Sequence, residues 1–399
     1  MPRRSSLLST GLSIFLFAAL TVNLRAQASP SATPDSTTRD SPPSTAQQPA
    51  TPSLDFSGIL FANYQYGGVK GNRSVNRFDL ERAYLTFRAT PGQHFGVRIT
   101  ADVYQQRDTT RDQYYRGWAA RLKYAYGQYD FLRGGDDALR ANVRLGMLQT
   151  VVIEVEEQIW QRGLSPVAVD QNGYFASADL GASATFMLPG KLGEVYATIT
   201  NGPGYTSRET DRFKDYAARL TITPFAKGAG VLQGLSISPW FSKGTRASDF
   251  ARRRGTVRPV SDAIRKDRAG LLLTLRDPRI AVGAHYAQRW EVDESADTTA
   301  DLVPTSADRM ERLLSLHTTV RPLMFVSDAP AWPLAIVLRA DHIEPNIDRD
   351  PYVRNYIAGV QWELNRRTSI TLDYQNRAPR DGGAGADTKV FYLHLIAGF

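Results

Sequence analysis

The sequence predicts an all-β chain: a transmembrane antiparallel up-and-down β-barrel of about 16 strands, with short periplasmic turns and long extracellular loops. Three observations predict it. From Leu54 onward, apolar and polar residues alternate with period two in roughly sixteen segments, each near the ~9 to 11 residues that a tilted membrane strand requires. The connections between those segments alternate between short and long. Nothing in the mature chain offers the ~18 or more consecutive apolar residues of a membrane helix.

Composition bounds the reading without deciding it. At 399 residues the chain could form two or three soluble domains or one large barrel. A hydrophobic content of 42% reads as soluble, yet barrel strands alternate lipid-facing with water-facing residues and average to the same value. Tyr (18), Phe (17) and Trp (6) suffice for aromatic girdles at two interfaces. Cysteine is absent, which excludes disulfides, thiolate nucleophiles and Cys-ligated zinc or iron–sulfur centres. The net charge of +8 is spread along the chain in no lysine block, so nucleic acid is not an expected partner.

Residues 1–28 read as a secretory signal peptide. Arg3 and Arg4 precede an apolar run from Leu12 to Leu20, and Ala26-Gln27-Ala28 supplies small residues for cleavage. Residues 29–53 are Pro, Ser, Thr, Ala and Gln with scattered charge. They lack the apolar side chains that offset ordering entropy and read as a disordered periplasmic tail.

Residues 54–399 carry the barrel pattern. Leu54, Phe56, Leu60, Ala62, Tyr64 and Tyr66 share one face of the first segment against Asp55, Ser57, Asn63 and Gln65, with Ile59 and Phe61 blurring the polar side. Ala83-Leu85-Phe87-Ala89 opposes Arg82-Tyr84-Thr86-Arg88, and Phe95-Val97-Ile99-Ala101-Val103 opposes Arg98-Thr100-Asp102. Ala120-Leu122-Tyr124-Tyr126 is expected to oppose Arg121-Lys123, and Val143-Leu145-Met147 to oppose Arg144. Further segments lie at 178–186, 194–200, 214–223, 235–242, 268–276, 279–290, 312–321, 333–342, 353–364 and 368–375. The last runs to Phe399, with Phe391, Leu393, Leu395, Ala397 and Phe399 on one face. A terminal aromatic after an alternating strand resembles the closing strand of bacterial outer-membrane barrels, where it forms part of the signal read by the barrel assembly machinery.

Pro91-Gly92, Pro189-Gly190, Asp277-Pro278 and Asn365-Arg366-Arg367 supply tight turns. The stretches 105–117, 151–173, 201–213, 243–267 and 291–311 read as long polar loops. About sixteen strands enclose water rather than fill with side chains, so the expected product is a pore. The face opposite the lipid should line it. There lie Arg82, Arg88, Arg98, Arg121, Lys123, Arg144, Arg219, Arg276, Arg289 and Arg339, against Asp55, Asp102, Asp179, Asp341, Glu363 and Asp373. That lumen is mixed and mildly basic.

The stretch from Asn142-Val143-Arg144-Leu145-Gly146 into Ile153-Glu154-Val155-Glu156-Glu157-Gln158-Ile159-Trp160-Gln161-Arg162-Gly163 resembles porins of the phosphate-selective porin O and P type. So do Arg77–Phe87, Leu122–Tyr126 and Arg339-Ala340-Asp341-His342, and the likeness covers most of 54–399. It implies a trimeric, 16-stranded diffusion pore in the outer membrane of a Gram-negative-type bacterium, narrowed by its third loop. Glu154, Glu156, Glu157 and Arg162 would then sit at the constriction, facing Arg82, Arg98, Arg121, Lys123 and Arg144. Selectivity in that family rests on lysine-rich lumen sites. Here arginines dominate and the loop carries three glutamates, so the expectation is a weakly selective, anion-leaning channel for small ions and polar solutes.

The alternatives are an outer-membrane hydrolase and a surface adhesion or binding protein. No histidine sits in a recognisable catalytic pattern, and Asp341-His342 alternate across the strand and cannot pair directly. Asn346-x-Asp348-x-Asp350 lacks the central Gly and distant Glu of a calcium loop. Gly202-Pro203-Gly204 and Gly382-Gly383-Ala384-Gly385 lack the strand-to-helix context of a phosphate loop, so no cofactor is expected. Outer-membrane lipid surrounds such a barrel, and the Arg252-Arg253-Arg254 run is a candidate for lipopolysaccharide phosphates.

Overall fold

The computed structural model describes residues 52–69, 74–105, 117–247, 263–296, 304–326, 334–349, 351–380 and 385–399. The signal peptide, nearly all of the 29–53 tail, and Arg252–Arg254 lie outside them. The first strands are β1 (Ser53–Val69), β2 (Val75–Thr90), β3 (Phe95–Gln105), β4 (Trp118–Leu132), β5 (Arg140–Gln149) and β6 (Ala178–Met187). Then follow β7 (Gly193–Thr200), β8 (Asp215–Ile222), β9 (Leu235–Lys243), β10 (Thr245–Ala247), β11 (Ala263–Arg276) and β12 (Ile280–Ala296). The chain ends with β13 (Pro304–Val320), β14 (Leu334–Glu344), β15 (Tyr352–Asn365), β16 (Thr368–Arg380) and β17 (Thr388–Gly398).

These make sixteen staves, because β9 and β10 are two parts of one, interrupted at Gly244 and both paired with β11. Every stave is antiparallel to its sequence neighbours. The cylinder closes where β1 pairs with β17, in register from Ile59 opposite Gly398 to Val69 opposite Thr388. Phe399 and Gly58 complete that seam by exchanging backbone bonds of 3.0 and 3.3 Å. Closure leaves no open edge, the condition for a sheet in lipid.

Local chemistry explains the parity of the connections. At the tight turn after β11, Asp277 and Ile280 exchange backbone bonds, and the Asp277 carboxylate accepts from the Arg279 amide at 2.9 Å. On the opposite rim several strands overhang. The stretches 263–267, 291–296 and 304–311, expected as loop, are strand, so β12 and β13 pair from Ile280 opposite Val320 out to Ala296 opposite Pro304.

Outward positions hold Leu145, Leu271, Leu273, Leu316, Leu338, Val360, Leu372 and Leu393, all exposed, while their neighbours in sequence are inward and shielded. Leu145, 72% exposed, presents a large apolar side chain on that outer face.

One register differs from the alternation read in the sequence. Thr100 stands opposite Tyr124 while Ala101 stands opposite Leu122, so Lys123 is an inserted residue, a β-bulge. Parity flips there. Leu122 faces out, as expected, but Tyr124 and Tyr126 face in, where Tyr124 is 4% exposed. A second bulge between Phe61 and Ala62 leaves Glu81 unpaired in β2.

Candidate functional site

The connection from Thr150 to Ser177 is not the wholly polar segment that its length and place suggested. It folds into the barrel and makes an apolar core there. Val151, Val152, Ile153, Trp160, Leu164, Val167, Val169 and Tyr174 are each no more than 4% exposed. They pack with inward residues of the wall, among them Trp240, Leu272, Leu313, Val337, Ile343 and Ile357. Fully burying one such side chain contributes about 1.5–3 kcal/mol. Ile59 and Phe61, which blurred the polar face of β1, belong to the same seat. A side chain at Gly163 would come within 2.7 Å of Phe61 and 2.6 Å of Ile396, so only glycine lets the loop lie this close to the wall.

Within β5, ahead of the loop, Gly146 has a φ of +131°, a left-handed-side conformation, and a Cβ there would sit 2.2 Å from the Ala125 carbonyl oxygen. Two short helices follow, α1 (Ile153–Glu156) and α2 (Ala168–Gln171). Wall arginines grip the loop backbone. Arg339 donates to the Pro166 carbonyl at 2.6 Å and to Gln171 Oε1 at 3.1 Å, and Arg289 donates to the Gly173 carbonyl at 2.8 Å. Arg219 donates to the Val151 carbonyl and Arg276 to Gln158. Four of the arginines expected to line water therefore serve mainly as anchors.

The other wall cations face what the loop leaves open. Arg98 Nη1 lies 3.1 Å from Glu154 Oε1, with its guanidinium 4.2 Å above the Tyr124 ring. Lys123 Nζ lies 4.4 Å from the Tyr84 ring centre and donates to the Tyr84 hydroxyl at 3.3 Å. Arg162, on the loop, pairs with Glu157 at 2.9 Å and with Asp170. Burial disfavours its charge, yet Tyr84 and the two carboxylates hold its pKa well above the ordinary guanidinium value. Arg98, Lys123, Glu154, Glu157 and Arg162 all line one cavity of about 930 Å³ that opens at the short-turn end beside Arg321, Glu363 and Arg367.

Nearer the long-loop end, Arg82 and Arg121 share Asp102, which is fully buried, at 3.3 and 2.9 Å. Tyr205, inserted from the connection between β7 and β8, reaches the same carboxylate at 3.2 Å, and burial pushes its phenol pKa up. Arg144 donates to Gln128 at 2.8 Å and Gln149 at 3.3 Å, and its guanidinium lies 5.2 Å from the Tyr126 ring centre. A ladder of cations backed by tyrosines thus runs along β2 to β5, facing loop carboxylates.

Glu156 is not part of that face. It is fully buried against the opposite wall, where Oε2 accepts from His285 Nδ1 at 2.7 Å and Oε1 lies 3.7 Å from His317 Nδ1. His285 Nε2 accepts from Trp240 Nε1 at 3.0 Å, which assigns the imidazole proton to Nδ1. Burial alone would raise the carboxyl pKa of Glu156. His285, His317 and Arg339 outweigh burial and hold it below the ordinary value of 4.5. The reason is helical geometry: Glu154 and Glu157 fall within about 60° of each other around α1, while Glu156 lies about 200° from Glu154.

Sequence reasoning missed His285, His317, Asp170 and Tyr205 as site residues. Strand parity already placed both histidines inward on adjacent staves. Asp170 and Tyr205 sit in irregular segments with no periodic signal. Among the described residues no hydroxyl is hydrogen-bonded to a histidine, and no three His, Cys, Asp or Glu side chains are placed to hold a metal ion.

No family model matches the chain, and no curated protein matches it. The fold is similar to several solved structures. Salmonella typhi OmpF in complex with daunomycin aligns with a TM-score of 0.57 at 11% identity, over 87% of this chain and 97% of that one. The anion-selective porin from Comamonas acidovorans gives 0.54 at 12% identity, over 88% and 100%. The outer membrane channel DcaP of Acinetobacter baumannii gives 0.56 at 14% identity, over 87% and 97%. At these identities the likeness is one of fold.

Proposed function

We propose that the chain is an outer-membrane porin: a water-filled diffusion channel for small polar and charged solutes, weakly anion-leaning and narrowed by its infolded loop. The carrying observation is that fixed charges stand on both sides of the gap: Arg98 pairs with Glu154 across it, Lys123 shares the cavity with Glu157, and Arg82, Arg121 and Arg144 continue the cationic wall beyond. A transverse field of that kind orders small polar solutes and biases ion passage. The excess of wall cations over loop carboxylates supports the anion lean. The similarity to OmpF, to DcaP and to a porin described as anion-selective supports the channel reading.

The same reading includes export by the residue 1–28 signal peptide, insertion by the barrel assembly machinery, and a homotrimer. Neither the hydrolase nor the adhesin alternative gains a specific observation. In planar bilayers under a salt gradient, the reversal potential is expected to show a modest anion preference. A cation preference would overturn the lean, and absence of conductance steps from inserted protein would overturn the channel.

A further inference from the structure

The lipid-facing side of the barrel is interrupted on four neighbouring staves by polar residues at one height. Gln288 stands opposite Arg312, Arg312 opposite Glu344, and His342 opposite Arg354. Strand alternation points all of them outward, since their neighbours Glu311, Asp341 and Asn355 are the buried, inward residues.

Their height is fixed by β15. Arg354 lies eight positions from the outward Trp362 near the short-turn end, about 20 Å along the barrel axis at ~3.3 Å per residue and ~40° tilt. The lipid-facing band of such a barrel is ~25 Å tall. The row therefore sits at its long-loop boundary, where headgroups of the outer leaflet begin. Below it, exposed Leu314, Leu316, Leu338, Tyr356 and Val360 continue as an apolar strip.

The charges do not balance among themselves. Arg312 and His342 both turn to Glu344, at 3.3 and 3.2 Å, with side chains 43% and 39% exposed. Arg354 is exposed, rests 4.9 Å from the Tyr352 ring centre, and pairs with no carboxylate among the described residues. Arg312 and His342 thus share one acid, and Arg354 beside them pairs with none among the described residues. A planar fork presents paired N–H groups that match phosphate oxygens, and bound phosphate would supply the missing negative charge.

We propose that Arg312, His342 and Arg354 dock the phosphorylated headgroup of an outer-leaflet lipid, its acyl chains lying on the apolar strip beneath. This rests on the outer-membrane reading above and adds a specific site to it. The test is native mass spectrometry of the full chain, reconstituted with equal amounts of a diphosphorylated glycolipid and its dephosphorylated form. The same samples are scored for channel conductance.

The phosphorylated lipid should be retained preferentially. Arg312→Gln with Arg354→Gln should weaken retention about 25-fold, from about five-fold per surface arginine. Glu344→Gln should strengthen it, and conductance should not change in either variant. Equal retention of both lipids by a conducting protein overturns the site while leaving the channel standing, whereas loss of conductance in the wild type counts against the channel itself. Displacement by millimolar inorganic phosphate overturns it in favour of a free-phosphate site, and a change of oligomer mass in the double variant in favour of a contact between copies.

Discussion

Replacing Glu156 by alanine should release the infolded loop without opening the barrel. The carboxylate is the loop's fully buried charge, held at 2.7 Å by His285 and facing His317 at 3.7 Å. Its loss strands two imidazoles in a site with no access to water. Removing one member of such a buried group costs about 3–5 kcal/mol. The strand ladders do not include this contact, so the cost falls on loop docking and shifts its equilibrium by about 10²- to 10⁴-fold. What remains are the bonds from Arg339, Arg289, Arg219 and Gln375 to the loop backbone, each contributing about 1 kcal/mol, and the apolar seat.

Limited proteolysis should then cut within 150–177 in the variant and spare the wild type, while single-channel records gain current noise and mean conductance. Glu156→Gln keeps an acceptor for the His285 N–H and should show a smaller effect. The acid dependence has a definite sign. Because the folded pKa of Glu156 is depressed, its contribution is present above the ordinary value of 4.5 and is lost as pH falls through the lowered folded value. Loop release in the wild type is therefore expected in strong acid, not between pH 5 and 8. An alanine variant with wild-type proteolysis and wild-type noise would refute the reasoning.

Three more outcomes are expected. Arg98→Glu should move the reversal potential toward cations, because it turns the 3.1 Å pair with Glu154 into a repulsion inside the cavity between wall and loop; an unchanged potential would remove Arg98 from the ion path. Leu145→Arg places a charge on lipid at a 72% exposed position and should cost about 2–4 kcal/mol of folding stability in bilayers if near the midplane, whereas Arg144→Leu should have a far smaller effect, both read by urea titration. Gly163→Val should cost about 1–3 kcal/mol through overpacking against Phe61 and Ile396, seen as loop protease sensitivity with the barrel intact.

The wall was legible because a period of two reports which side of a strand is wet, and the terminal strand illustrates it. Phe391, Leu393 and Leu395 face outward and are exposed, while Tyr392 and His394 face in. The bulge at Lys123 was not legible, since one inserted residue leaves composition unchanged while reversing the sides of Tyr124 and Tyr126. The loop was misread as polar although Val151-Val152-Ile153 and Ile159-Trp160 announce a core. Its partners, Leu272, Leu313 and Ile357, stand on inward positions where alternation alone predicts water. Glu156 went to the wrong wall because three acids in four residues read as one patch, while a single helical turn sends them two ways.

The account's central claim is that water fills the gap between the β2–β5 wall and the loop. The chain has no cysteine, so a single Glu154→Cys introduces the sole thiol. A charged, water-soluble thiol reagent added during a single-channel recording is predicted to react there and reduce the current in one irreversible step. A thiol that stays unmodified, or that is modified with the current unchanged, would contradict the claim.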